Sequence, residues 1–120
     1  LLAADATDED DGRVVALGSG GSERIRSALV QAVIGIVDGG QTLAAAISAP
    51  RVHPDGDTVQ VEPGLSGDTL EALSEHGAVN VWHSRNLYFG GVHAVSWRPD
   101  GTVAAAGDPR RDGVGVVVDL

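Results

Sequence analysis

The residues of this sequence whose types and spacing carry the most chemistry are Leu17-Gly18-Ser19-Gly20-Gly21-Ser22-Glu23-Arg24-Ile25. Glycines admit backbone conformations closed to other residues, so successive amides can converge on one point. Where such a run opens a helix, the macrodipole adds about half a positive charge. The chemistry is anion binding, and three anions come into question. A phosphate in a P-loop needs a lysine after the glycines, and the chain has no lysine. A dinucleotide pyrophosphate needs glycine where Glu23 stands, and that carboxylate would repel it. The third is the negative oxygen of a tetrahedral intermediate, for which Gly20 and Gly21 would supply the two amides of an oxyanion hole. Removing one such donor typically costs about a hundred- to a thousandfold in rate. A glycine run also serves simply to connect a strand to a helix, and the residues alone leave both readings standing.

Other reactive side chains are scattered. His53, His76, His83 and His93 never fall at a zinc-binding spacing such as His-Glu-x-x-His, although His53, Asp55 and Asp57 form a loose trio of candidate ligands. Asp8, Glu9, Asp10 and Asp11 lack the spacing and closing glutamate of an EF-hand and read as a solvated turn. No metal or cofactor is implied. Thr42, Thr58, Thr69 and Thr102 are interior to the chain, without the free α-amine that would activate a threonine nucleophile. Arg51 and the pair Arg110-Arg111 are expected in structural ion pairs with Asp108 and Asp112, with substrate binding as the alternative. Trp82, Tyr88, Phe89 and Trp97 are expected as core or interface anchors.

Holding the glycine run in place requires a strand before it and a helix after it. Val14-Val15-Ala16-Leu17 supplies the strand, and the apolar Leu1 to Ala4 is expected to pair with it across an acidic loop. From Ser22 the period becomes helical, with Ile25, Leu29, Val33 and Ile36 or Val37 on one stripe. Ser22 is placed to cap this helix, Glu23 suits its positive end, and Asp38-Gly39-Gly40 stops it. Gly35 inside it costs on the order of 1 kcal/mol against alanine, which predicts close packing against another backbone. A short helix follows over about Thr42 to Ala49, ended by Pro50. Thr58 to Val61 alternates as a strand, and Asp68-Thr69-Leu70-Glu71 opens a helix with a capping-box pattern that Gly77 terminates. Strands are expected over Ala78 to Trp82, Val92 to Trp97 and Val114 to Asp119. Arg98-Pro99-Asp100-Gly101 turns the second of these into a further strand, Thr102 to Ala106. Strands beside helices without strict alternation predict an α+β fold.

The 120 residues suffice for a single domain, 1–120, around one core. A net charge of −9 argues against nucleic acid as a partner, since a grip on phosphates needs clustered cations. The absence of cysteine excludes disulfides, thiolate nucleophiles and cysteine-held zinc. No run approaches the roughly 20 apolar residues of a membrane-spanning helix, and no signal peptide opens the chain, so it reads as soluble with no compartment assigned.

Gly18-Ser19-Gly20-Gly21-Ser22 resembles the Gly-Ser-Pro-Gly-Gly-Ser segment of gamma-glutamyltranspeptidases, with the proline missing and Glu23 added before Arg24. Later motifs of that family are matched in order by Ala49-Pro50-Arg51 with His53, Val61-Glu62-Pro63-Gly64, Gly90-Gly91-Val92-His93-Ala94-Val95, Asp100-Gly101 and Asp108-Pro109-Arg110-Arg111-Asp112-Gly113. The resemblance implies the C-terminal portion of the small subunit of an N-terminal-nucleophile (Ntn) hydrolase, an αββα sandwich of antiparallel sheets with packed helices. In such a protein a proenzyme cleaves itself to expose a catalytic threonine, whose own α-amine is the base. The threonine attacks the gamma-glutamyl amide of a glutathione-type donor, and water or an amine resolves the acyl-enzyme. Gly20 and Gly21 then match the oxyanion pair. The threonine, the acid that grips the substrate's α-amine and the serine pair that grips its α-carboxylate belong to sequence before Leu1. Residues 1–120 alone would be inactive, and their partner is the upstream part of the same precursor. The alternative is a folded module without catalysis that acts through assembly, where unpaired strand edges favour a homodimer.

Overall fold

The computed structural model describes residues 2–5 and 12–118, so the acidic cluster Asp8 to Asp11 lies outside the described residues. Strands β1 (Leu2–Asp5) and β2 (Val14–Gly20) pair antiparallel, as the hairpin reading expects. β2 does not stop at Leu17. It continues through the first glycines and runs antiparallel along β6 (Gly91–Trp97), which turns into β7 (Val103–Ala106). The result is a four-stranded antiparallel sheet in the order β1-β2-β6-β7. Alternation sends Val15 and Leu17 of β2 and Val92 and Ala94 of β6 to one buried face.

Helices α1 (Ile25–Val37) and α2 (Leu43–Ser48) cover that face and close the main core with it. The face of α1 differs from expectation. Ala28, Ala32 and Ile36 are its fully buried residues, with Leu29 and Val33 flanking them, while Val30, Ile34 and Val37 are about half exposed. Alanines on the contact line let the helix axis approach the sheet, so the larger side chains straddle the seam. Its start differs too: Arg24 is the N-cap, no side chain caps the helix, and Ser22 and Glu23 lie in the preceding turn. A methyl group at Gly35 would stand 3.2 Å from Ala46 Cβ and 2.5 Å from Gln41 Oε1, so this glycine admits α2 and the connecting loop by their side chains. Thr42 caps α2, its Oγ1 accepting from Ala45 N at 3.1 Å.

A second sheet holds β3 (Val52–Asp55), β4 (Thr58–Val61) and β5 (Ala78–Val81) in that order, β3 antiparallel and β5 parallel to β4. β3 is not among the strands expected from the sequence, and as an edge strand it can hold Pro54. Gly56, at φ +60, makes the turn into β4. The outer edge of β3 is sealed by a side chain: the Gln31 amide donates to Val52 O at 2.7 Å and accepts from Val52 N at 2.8 Å, copying a strand. α3 (Gly67–Ser74) begins two residues earlier than its capping-box pattern suggests, with Ser66 accepting from Thr69 N at 3.2 Å. The expected final strand, Val114 to Asp119, is absent among the described residues. Residues 113–118 have no regular structure, because the left-handed Asp112 (φ 52) turns the chain and Gly113 and Gly115 then press on the backbones of Asp108 and Ala105 where a Cβ would overlap.

Among the described residues no helix is long and apolar enough to cross a membrane. The face of the four-stranded sheet away from α1 and α2 carries Val95, Trp97 and Val103, each at least half exposed.

Candidate functional site

The glycine run meets its surroundings at one corner of the four-stranded sheet. Gly20 is the last residue of β2, opposite Gly91 in the first position of β6. Gly21 leaves the sheet at φ +126, a conformation that other residues resist, so the turn comprises Gly21 to Arg24 and is shorter than the sequence suggests. Backbone donation resumes with Ile25 N, which donates to Ser22 O at 3.4 Å, and Ala28 N, which donates to Arg24 O at 3.0 Å. The amides of Gly21, Ser22, Glu23 and Arg24 donate to no backbone carbonyl among the described residues. Gly20, Gly21 and Ser22 are exposed.

Two further glycines complete the corner. A Cβ on Gly90 (φ +91) would lie 3.0 Å from Ala28 Cβ and 3.1 Å from Ser19 Oγ, so only glycine fits between the end of β2 and α1. A Cβ on Gly91 would overlap the side chain of Arg111, which lies along it and reaches over Gly20. Ser19 Oγ donates to Gly20 O at 3.1 Å and accepts from Gly91 N at 3.4 Å. Arg24 clamps the turn from the other side: its Nε donates to Tyr88 O at 3.0 Å and its guanidinium sits 4.5 Å from the Tyr88 ring centre. Tyr88 stacks on Trp82 and donates to Asp55 Oδ2 at 3.4 Å. Burial and the Asp55 carboxylate push its phenol above the usual tyrosine range. Phe89 is buried as expected, whereas Trp97 is exposed.

Beneath the corner lies a charge cluster buried among the C-terminal end of α2, β4 and the turn Pro109–Arg111. Arg51 Nη2 lies 2.7 Å from Asp108 Oδ2, Arg110 Nη1 lies 3.1 Å from Asp108 Oδ1, and Arg110 also pairs with Glu62. The expected pairing of Arg51 and Arg110 with Asp108 holds. Asp112 and Arg111 take no part, and the second acid is Glu62, whose place before Pro63-Gly64 marks it in sequence only as a strand ending. The arginines also supply what α2 lacks at its last turn, donating to Ile47 O and Ala49 O at 2.7–2.9 Å. Asp108 Oδ2 accepts from Val92 N at 2.7 Å and so ties the cluster to the start of β6. Burial alone would raise the pKa of Asp108. The amides of Val92 and Arg110 and the charge of Arg51 outweigh it and hold the carboxyl below its usual range. Burial and the neighbouring Arg110 lower the pKa of Arg51, whereas the Glu62 hydrogen bond and charge overcome burial to raise that of Arg110.

The remaining sequence candidates do not converge on the corner. Thr42 caps α2, Thr58 opens β4, Thr69 lies in the first turn of α3, and Thr102 N donates to Asp100 in the β6–β7 turn. His53 Nδ1 shares a hydrogen bond of 2.8 Å with Ser27 Oγ, and no group of three or more metal-ligating side chains forms among the described residues. His53, Asp55 and Asp57 do not come together as such a group. Sequence reasoning missed the parts that Gly91 and Arg111 play. Their only signal is the Gly90-Gly91 pair, which acquires meaning once the register sets Gly91 beside Gly20.

Residues 6–118 match the family model for gamma-glutamyltranspeptidase. The chain is 33% identical over 109 residues to the Acylase ACY 1 proenzyme of Pseudomonas sp. (strain SE83), a match covering 90% of this chain and 19% of that protein. It is 35% identical over 95 residues to the Glutathione hydrolase proenzyme of Escherichia coli (strain K12), covering 78% of this chain and 16% of that protein. The crystal structure of the Bacillus anthracis transpeptidase enzyme CapD superposes with a TM-score of 0.75 at 28% identity, over 93% of this chain and 68% of that one. The chain thus spans about a fifth of the length of the curated relatives it matches.

Proposed function

This chain belongs to the gamma-glutamyltranspeptidase family, and from that premise we propose that it is the C-terminal portion of an enzyme that cleaves gamma-glutamyl amides and passes the acyl group to water or an amine. Its part in the reaction is the oxyanion wall at Gly20 and Gly21. The observation that carries this reading is the corner itself: a strand that ends on Gly20, a left-handed Gly21, and amides with no backbone acceptor at the mouth of α1. Backbone donors fixed before reaction stabilise a developing negative charge without reorganising, which is the basis of their catalytic value.

The chemistry is acyl transfer. A threonine hydroxyl from the upstream part of the precursor adds to the gamma-carbonyl carbon, its proton passing to the threonine's own α-amine, and the carbonyl oxygen becomes negative against Gly20 and Gly21. Collapse expels the amine with that proton and leaves an ester to threonine, which water or an acceptor amine then opens. The four threonines named above are engaged elsewhere in the fold, which supports a nucleophile from outside residues 1–120 and an inactive isolated segment. The exposed apolar face bearing Val95 and Trp97 is where the upstream part would lay a second sheet.

Expression of the full-length precursor tests this directly. Self-cleavage and release of a chromogenic amine from a gamma-glutamyl anilide are expected, with no release by residues 1–120 alone. A precursor that does neither contradicts the proposal.

A further inference from the structure

Arg110 and Arg111 are adjacent in sequence and opposite in role. Arg110 is buried and fully engaged, while Arg111 is exposed and pairs with no carboxylate among the described residues. Yet Arg111 does not extend into solvent. Its alkyl chain lies on the bare backbone of Gly91, where a Cβ would stand 2.7 Å from Nε and 3.0 Å from Cγ. The guanidinium then projects past the end of β2, its Nη1 at 3.3 Å from the Cβ position of Gly20 and its Nη2 at 4.0 Å from that of Gly21. The root of the side chain is fixed as well, since Arg110 is anchored in the buried cluster and Arg111 N donates to Asp108 O at 3.1 Å. A planar, permanently charged fork is thereby aimed at Gly20, where the ladder ends, and at Gly21, whose amide donates to no backbone carbonyl among the described residues.

We propose that Arg111 is an anion-binding residue of this corner, its guanidinium contacting the negatively charged oxygen held against Gly20 and Gly21. The assignment rests on the acyl-transfer reading above. The oxygen has two sources, the reacting carbonyl as it becomes tetrahedral or a free carboxylate of the substrate, and the two differ in which kinetic constant responds.

The test uses the full-length precursor with Arg111→Gln and Arg111→Lys. Its readouts are anilide release from gamma-glutamyl-p-nitroanilide and from the α-methyl ester of that donor, together with calorimetric titration by L-glutamate. If the oxygen is the reacting carbonyl, Arg111→Gln lowers kcat about tenfold or more on both donors with little change in KM, and lysine restores part of it. If it is a substrate carboxylate, Arg111→Gln raises KM and the glutamate Kd about tenfold or more for the free acid and leaves the ester unchanged. An unaltered melting temperature in Arg111→Gln is expected because the side chain is exposed. Values of kcat, KM and glutamate Kd all within about twofold of the parent overturn the proposal. If the parent releases no anilide, the acyl-transfer reading fails and glutamate binding alone decides Arg111: binding lost in Arg111→Gln sustains the anion site, while unchanged or absent binding refutes it.

Discussion

A carboxylate with no exposure to water persists at Asp108 because four donors meet it: the amides of Val92 and Arg110 and the guanidinium groups of Arg51 and Arg110. Removing one member of such a cluster leaves the others charged and buried, which costs more than the pair contributes. Asp108→Ala is expected to lose roughly 3–5 kcal/mol in denaturant unfolding of the precursor. The acid limb of stability follows from the same contacts. Because the folded pKa of Asp108 lies below its ordinary 3.8, its contribution is complete above that value and disappears as pH falls through the lower folded one. The melting temperature of the parent should therefore drop more steeply on acidification below about pH 4 than that of Asp108→Asn. Parallel acid limbs would contradict the assignment. The pairing of Arg110 with Asp108 was legible in the sequence as nearby opposite charge, and Arg51 was expected to join it. Glu62 was not legible, because nothing local marks a carboxylate before Pro63-Gly64 as buried. Arg111 was legible only as a second cation, since its role depends on a ladder that sets Gly20 beside Gly91.

Elements were read best where a single local rule governs them. The short helix ended by Pro50 and the hairpin through Arg98 to Gly101 formed as turn chemistry dictates, and the helix over Ile25–Val37 formed where its period runs, although with Ala28, Ala32 and Ile36 as its buried residues. Errors arose where tertiary contact overrides the local rule. β3 admits Pro54 because it is an edge strand, whose outer side Gln31 covers at Val52, and the valines of 114–118 look like a strand while glycine contacts hold that stretch out of any ladder. The seal is testable. Gln31→Ala strips Val52 of both partners, and a loss of about 1–3 kcal/mol is expected together with faster hydrogen exchange at the Val52 amide. Undiminished protection there would show that the edge needs no cover.

At the scale of the whole molecule, one side of the four-stranded sheet is closed by α1 and α2 and the other presents Val95, Trp97 and Val103. An exposed apolar sheet face of this kind marks an interaction surface, and in relatives named as proenzymes this region is about a fifth of a longer chain. Trp97→Asp in the full-length precursor is expected to lower its stability by roughly 1.5–3 kcal/mol, the worth of one large apolar side chain buried between layers. No change in the unfolding midpoint would mean that this face stays exposed in the precursor. The fold class was legible from the mixture of periods, and the corner from its glycines. The direction of the amides required the register of β2 on β6. The most direct measurement is therefore a crystal structure of the mature full-length enzyme carrying a boronic-acid analogue of the gamma-glutamyl group on its nucleophile. The account predicts a boronate oxygen about 2.7–3.1 Å from the amide nitrogens of Gly20 and Gly21. A boronate oxygen held by other donors, with both of those nitrogens out of hydrogen-bonding reach, would contradict it.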